Sequence, residues 1–241
     1  PGCAFFRPNE PFAVPLAQKR IRKIQIEASL ACRLRCPGCS NRFQVQIRPQ
    51  PFHMDLALFE QLLRTLRADD YAVDEIEYCG QGEPLQHPRF PELVRLARAH
   101  FPATRQRLIT SGNFDFEVAI AGERLDEIMV SCDGAARESY EQYRIGGRFE
   151  RPIQFMRDAL RAGSGRPGAL VWKYILFEWN DRPEEIRRAQ ELAAELGVHA
   201  ILFVFTHSKG KSRRFMPENV SEFPVHFPNV ITNATPIHYQ Q

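Results

Sequence analysis

Long hydrophobic runs, a strong excess of charge of one sign, and any cysteine beyond residue 132 are missing from these 241 residues. No apolar stretch approaches the roughly 20 residues that a bilayer-spanning helix needs. The balance of 32 basic against 29 acidic residues, a net charge of +3, gives no argument for nucleic acid as a partner. No secretory signal segment is expected, and the chain is far larger than the small secreted domains that depend on disulfide staples, so a disulfide framework is a weaker reading than a metal centre. Six cysteines without a signal segment fit the reducing cytoplasm. Internal repeats, low-complexity stretches and a clear linker are also lacking, and 44% hydrophobic with 25% charged residues suffices for one substantial core. The first residue is Pro1 and residues 1–15 read as irregular, so an upstream piece is expected to have been removed or to lie outside these residues. The expected organisation is an irregular segment over 1–20, one α/β unit over 21–207 and a C-terminal extension over 208–241.

What is present is a tight group of thiols. Cys32, Cys36 and Cys39 follow one another at spacings of four and three residues, so all three can converge on one metal centre. An all-cysteine iron-sulfur cube takes four thiolates, and three supplied by one loop leave one iron without a protein ligand. An open iron is where a small molecule can bind. A structural zinc site is the alternative, with Cys3, His53, Cys79 or Cys132 as the fourth ligand at no recognised zinc-finger spacing. Buried thiols with no metal are the third reading.

Strand patterns alternate with helical ones along the chain. Strands are predicted over 23–27, 75–78, 107–110, 127–131, 170–177 and 199–205. The spacing of Leu56, Phe59, Leu62, Leu63 and Leu66 predicts a helix over 54–66, and that of Ile186, Ala189, Leu192, Ala193 and Leu196 another over 183–196. Six such units fit an α/β partial (β/α)6 barrel with parallel strands.

Parallel barrels place their chemistry at the carboxyl ends of the strands, so the loops there carry the candidate residues. After the second strand comes Cys79-Gly80-Gln81-Gly82-Glu83-Pro84-Leu85. Glycine lets the backbone approach a ligand closely, and a carboxylate or carbonyl accepts hydrogen bonds from an ammonium group. The third strand ends in Thr110-Ser111-Gly112-Asn113, and the fourth in Ser131-Cys132-Asp133-Gly134. Strand alternation sends Ser131 and Asp133 to one side and Cys132 to the other, with a turn cap as the competing role for Asp133. Arg144, in Tyr143-Arg144-Ile145-Gly146-Gly147, can clamp a carboxylate with two parallel hydrogen bonds. Lys173 is the one ionisable residue of an apolar strand, a costly placement unless it is paired or faces a polar cavity. Asn180-Asp181 marks the turn that follows. The sixth strand delivers Thr206 and His207 to the barrel mouth, ahead of the basic run Lys209, Lys211, Arg213 and Arg214. That run fits an anionic substrate or the acidic surface of a reductant, and it lacks the interleaved aromatics that stack bases.

In this order the motifs resemble those of the radical S-adenosylmethionine (SAM) enzymes. That family carries a Cys-x3-Cys-x2-Cys loop after its first barrel strand, then a Gly-Gly-Glu-Pro motif, here Gly80-Gln81-Gly82-Glu83-Pro84. Ser131 to Gly134 is similar to its Ser-x-Asp-Gly strand end, and Arg144 to Gly147 to its Arg-x-Gly-Gly segment. The resemblance implies a [4Fe-4S] cluster held by Cys32, Cys36 and Cys39, with the amino and carboxylate groups of SAM on the fourth iron. It implies SAM contacts from Gly82, Glu83, Ser111, Asn113, Ser131, Asp133, Arg144 and Lys173. Where the family commonly packs an aromatic or bulky residue on the adenine, this chain has Gly38.

The implied reaction is reductive cleavage of SAM to methionine and a 5'-deoxyadenosyl radical, which abstracts hydrogen from a small-molecule or peptide-like substrate in a biosynthetic pathway. A low-potential donor such as flavodoxin or ferredoxin supplies the electron. The lack of cysteine after Cys132 argues against an auxiliary cluster. Cys79 or Cys132 is a candidate hydrogen-atom donor and His207 a candidate substrate contact. Epimerisation, dehydrogenation, rearrangement and carbon-carbon bond formation all remain open. The reading from another class is a non-catalytic zinc or iron-sulfur scaffold with the same fold.

Overall fold

Two chemically different faces run along the strands, and their alternation builds the molecule. The computed structural model describes residues 19–41, 53–163 and 170–233. Its seven strands are β1 (Arg20–Ile26), β2 (Ala72–Tyr78), β3 (Arg105–Thr110), β4 (Glu127–Ser131), β5 (Leu170–Leu176), β6 (Ala200–Phe205) and β7 (Val230–Thr232). They form one sheet in chain order, every neighbouring pair parallel. Among the described residues the two edges, β1 and β7, are not paired to each other, so the sheet stays open as a partial barrel.

Parallel neighbours need crossovers, and among the described residues six α-helices supply those from β1 to β6. They are α1 (Leu56–Ala68), α2 (Phe90–His100), α3 (Phe116–Ile120), α4 (Arg137–Tyr143), α5 (Glu150–Arg161) and α6 (Pro183–Leu196). Asp55 caps α1 by accepting from Leu58 N at 2.9 Å, and Gly197 ends α6 in the left-handed region at φ 80°. One face of the strands, with Ile76, Tyr78, Leu108, Ile128, Trp172, Tyr174 and Phe203, is fully buried in a single core with Phe59, Leu63, Phe90, Leu93, Phe155 and Met156 of the helices.

The other face is charged at its lower end. In register across four strands stand Lys23 beside Glu75, Glu75 beside Arg105, and Arg107 beside Glu127. Lys23 reaches Glu75 and Glu77 at 3.0 Å each, Arg107 meets Glu77 at 3.0 Å and Glu127 at 2.6 Å, and Arg105 pairs with Glu75 and Glu127. Opposite charges directly across neighbouring strands satisfy one another. Nearer the carboxyl ends this face turns apolar at Ile109, Met129, Val171, Ala200 and Leu202. Beyond that layer lie the loops.

The seventh strand falls in the stretch expected as an extension. Val230, Ile231 and Thr232 pair with Ile201, Leu202 and Phe203, while Phe215, Phe223 and Phe227 enter the main core, so residues 208–233 are joined to the sheet. Among the described residues no helix is long and apolar enough to cross a membrane.

Candidate functional site

The site is assembled from the loops that leave β1 to β5. They surround a cavity of about 600 Å³ whose wall includes Cys32, Cys36, Cys39, Cys79, Gly82, Glu83, Ser111, Ser131, Arg144 and Lys173.

The cysteine loop is anchored through its backbone. Arg35 N donates to Ile145 O at 2.9 Å, Cys39 N to Cys36 O at 3.1 Å, and the buried Asn41 amide to Leu30 O at 3.0 Å. The loop after β2 is pressed against it. Glu27 accepts from Gln81 N at 2.7 Å and from Gly82 N at 3.1 Å. A Cβ on Gly82 would fall on the Ser29 carbonyl oxygen and come within 2.6 Å of the Leu30 main chain, so only glycine allows this approach.

Glu83 holds three strand ends together. Its N–H donates to Ala31 O at 2.9 Å, and its buried carboxylate accepts from Thr110 Oγ1 at 2.6 Å, Ser111 N at 2.8 Å and Leu85 N at 3.3 Å. Three protein donors thus occupy the carboxylate expected to meet an ammonium group and hold the segment around it.

Asp133 is fully buried and is not part of the cavity wall. Its Oδ1 accepts from Ile175 N at 2.7 Å and its Oδ2 from Arg144 Nε at 2.6 Å. Burial works against the charge of Arg144, but Asp133 more than offsets it and holds the guanidinium ionised. Arg144 Nη1 points at Cys36 Sγ, 4.0 Å away. Asn180, in the turn after β5, is a buried bracket, donating to Asp133 O and Ile175 O at 3.0 Å each and accepting from Phe177 N at 2.7 Å.

Three further candidates lie off the main cavity. Cys132, the residue after β4, is fully buried in the core and donates to Gly134 O. Asn113 lines a smaller neighbouring pocket with Cys32 and Arg148, and its amide donates to Tyr140 Oη at 2.6 Å. His207 lines a separate small pocket near Phe215 and Met216. The Lys173 side chain, in contrast, lines the cavity and makes no hydrogen bond or ion pair with another described residue. Cys79 stands in the same wall. Sequence reasoning missed Glu27 as the acceptor for the glycine loop; its signal was position alone, the last inward residue after β1.

The thiols suit a metal centre. Burial pushes Cys32 up to about 12, and it raises Cys36 as well although Arg144 opposes it. Metal-free, both are protonated at neutral pH, and metal binding must displace those protons. The donor set fits an iron-sulfur cluster: three thiols on one pinned loop opening to one cavity with space beside them. Among the described residues no three His, Cys, Asp or Glu side chains are gathered to hold a single metal ion. Of the fourth ligands considered for zinc, His53 bonds Ser29 Oγ at 2.9 Å and faces His87, Cys132 is in the core, and Cys3 lies outside the described residues.

Comparison with known proteins bears on this arrangement. Residues 26–177 match the radical SAM superfamily. A GTP 3',8-cyclase of Chlorobaculum tepidum is 31% identical over 130 residues, which cover 53% of this chain and 38% of the cyclase. SuiB of Streptococcus suis, solved with its precursor peptide SuiA, superposes with a TM-score of 0.62 at 14% identity, covering 87% of this chain and 48% of that one. The structure of anSMEcpe with AdoMet and the Cp18Cys peptide gives a TM-score of 0.62 at 16% identity, covering 85% of this chain and 57% of that one. This chain therefore spans less than two thirds of the length of these proteins.

Proposed function

Because the chain belongs to the radical SAM superfamily, we propose that it is an enzyme that uses a [4Fe-4S] cluster and SAM to abstract hydrogen from a small-molecule or peptide-like substrate. The observation that carries this reading is the cavity in which three loop thiols, a glycine-pinned loop and two cations, Arg144 and Lys173, face one another. A bare metal scaffold has no need of such a polar wall. Cys32, Cys36 and Cys39 hold the cluster. When bound, cluster and SAM together supply a low-potential electron and a 5'-deoxyadenosyl radical.

The chain's own residues bind, orient and shield. Arg144, fixed by Asp133 through Nε and with Nη1 toward Cys36 Sγ, offers its remaining guanidinium N–H groups to the SAM carboxylate, and Lys173 offers a second cation. Ser111 and Ser131 present hydroxyls for ribose or carboxylate. Leu34, Ile109, Tyr143 and Ile175 form apolar wall that excludes water from the reacting carbon. The exposed run Lys209, Lys211, Arg213 and Arg214 suits an anionic substrate or the acidic surface of a flavodoxin- or ferredoxin-like donor. A peptide-like substrate is supported by SuiB and anSMEcpe, both solved with peptides.

Lys173→Met is expected to weaken SAM binding by about tenfold, about 1.4 kcal/mol, while iron content stays unchanged. Equilibrium dialysis with labelled SAM checks this, and unaltered affinity removes Lys173 from the site. The reaction itself is tested by anaerobic reconstitution with iron and sulfide, reduction, and chromatography for 5'-deoxyadenosine. Its formation in stoichiometric amount is the expected result; cluster-loaded, reduced protein that leaves SAM intact refutes the reading.

A further inference from the structure

A buried ion pair stands directly behind one cluster thiol. Arg144 is only 13% exposed at its side chain and Asp133 is not exposed at all, and they meet at 2.6 Å. The guanidinium projects past the aspartate toward Cys36 Sγ, 4.0 Å from Nη1, and packs over the Tyr143 ring at 5.5 Å. Asp133 is held from its other oxygen by Ile175 N, so neither partner is free to swing away. Most other arginine pairs of this protein, such as Arg64 with Glu60 or Arg137 with Glu150, lie exposed on the surface.

From this geometry we infer that the Asp133–Arg144 pair sets the reduction potential of the centre ligated by Cys36, the arginine raising it and the aspartate restraining that rise. Reduction adds one electron and so one negative charge. A cation and an N–H donor close to a ligand sulfur stabilise the reduced form over the oxidised one, and a low local dielectric strengthens the effect. The aspartate, further from the sulfur and behind the arginine, acts in the opposite sense. The two residues are positioning groups with opposite influence on one quantity. A purely structural brace would not give that signature. The inference rests on cluster ligation by Cys36 as proposed above.

The test is a potentiometric titration of the reconstituted protein followed by electron paramagnetic resonance, in the absence of SAM so that SAM contacts play no part. Iron and sulfide are assayed to confirm equal loading. Arg144→Gln is expected to lower the midpoint and Asp133→Asn to raise it, each by at least a tenfold change in the reduction equilibrium, about 59 mV for a one-electron couple. Asn keeps an acceptor for Ile175 N. Arg144→Lys keeps the charge and is expected to stay closer to wild type than Arg144→Gln, which separates charge from packing should the Gln variant load poorly. Midpoints that all stay within that tenfold window, or that move in the same direction for Arg144→Gln and Asp133→Asn, overturn the inference while leaving the proposed function in place. Wild-type protein that assembles no cluster overturns both.

Discussion

Replacing Cys32, Cys36 and Cys39 together by Ala is expected to abolish cluster assembly and SAM cleavage while the barrel still folds. Loss is expected to be complete because the cluster takes all its protein ligands from these three thiolates. Folding is expected to survive because the loop is secured by its backbone. Arg35 N to Ile145 O, Glu83 N to Ala31 O and Asn41 to Leu30 O all persist without a thiol. Only Cys36 of the three is buried, in a small cluster with Tyr143 and Phe177 that is separate from the main core. Iron and sulfide analysis, circular dichroism and the deoxyadenosine assay check the three parts. Retained SAM cleavage in the triple variant would sink the ligand assignment.

Gly82→Ala is expected to damage the site nearly as much without touching a ligand. The new methyl group would meet the Ser29 carbonyl and the Leu30 backbone, and main chain cannot move aside as a flexible side chain can. The loop after β2 would be driven from the loop after β1, with loss of the Glu27 bonds to Gln81 N and Gly82 N. Overpacking of this kind costs about 1–3 kcal/mol in stability, and here the displaced segment is the cavity wall. The expected result is a lowered melting temperature together with SAM affinity reduced more than tenfold. Gly38→Ala is the control within the neighbouring loop. Its Cβ would stand 3.3 Å from Tyr143 Oη and 3.6 Å from Ser208 Cβ, both side-chain atoms, so stability and SAM binding should change little. Equal effects of the two substitutions would contradict the close-approach argument.

Where one face of an element meets the core, its presence could be read from sequence, and in two cases its limits too, although the helix expected over 54–66 lies at Leu56–Ala68. Residues 127–131 and 183–196 were expected as strand and helix and are found as Glu127–Ser131 and Pro183–Leu196. The first three strands begin two or three residues earlier than expected. Their early residues, Arg20, Arg22, Asp74 and Arg105 among them, are charged, and such residues look like loop until partners on adjacent strands are known. Strand β7 is three residues long and lies among prolines and asparagines, so no periodicity announces it. In the site, the thiol loop and the glycine loop were legible because spacing and residue type alone constrain their chemistry. The roles of Glu83 and Asp133 were not. Each carboxylate is taken by donors far away in sequence, Thr110 and Ser111 for one, Ile175 for the other, and only the folded chain brings those together. Alternation also ceases to apply once β4 ends at Ser131, which is why Asp133 does not share its neighbour's cavity.

The central claim is that the open corner of a cluster on Cys32, Cys36 and Cys39 faces a SAM pocket. Electron paramagnetic resonance of the reconstituted, reduced protein with and without SAM tests it most directly. A cubane signal that changes on adding SAM is the predicted result. Uptake of zinc alone, or a cluster signal indifferent to SAM, would contradict it.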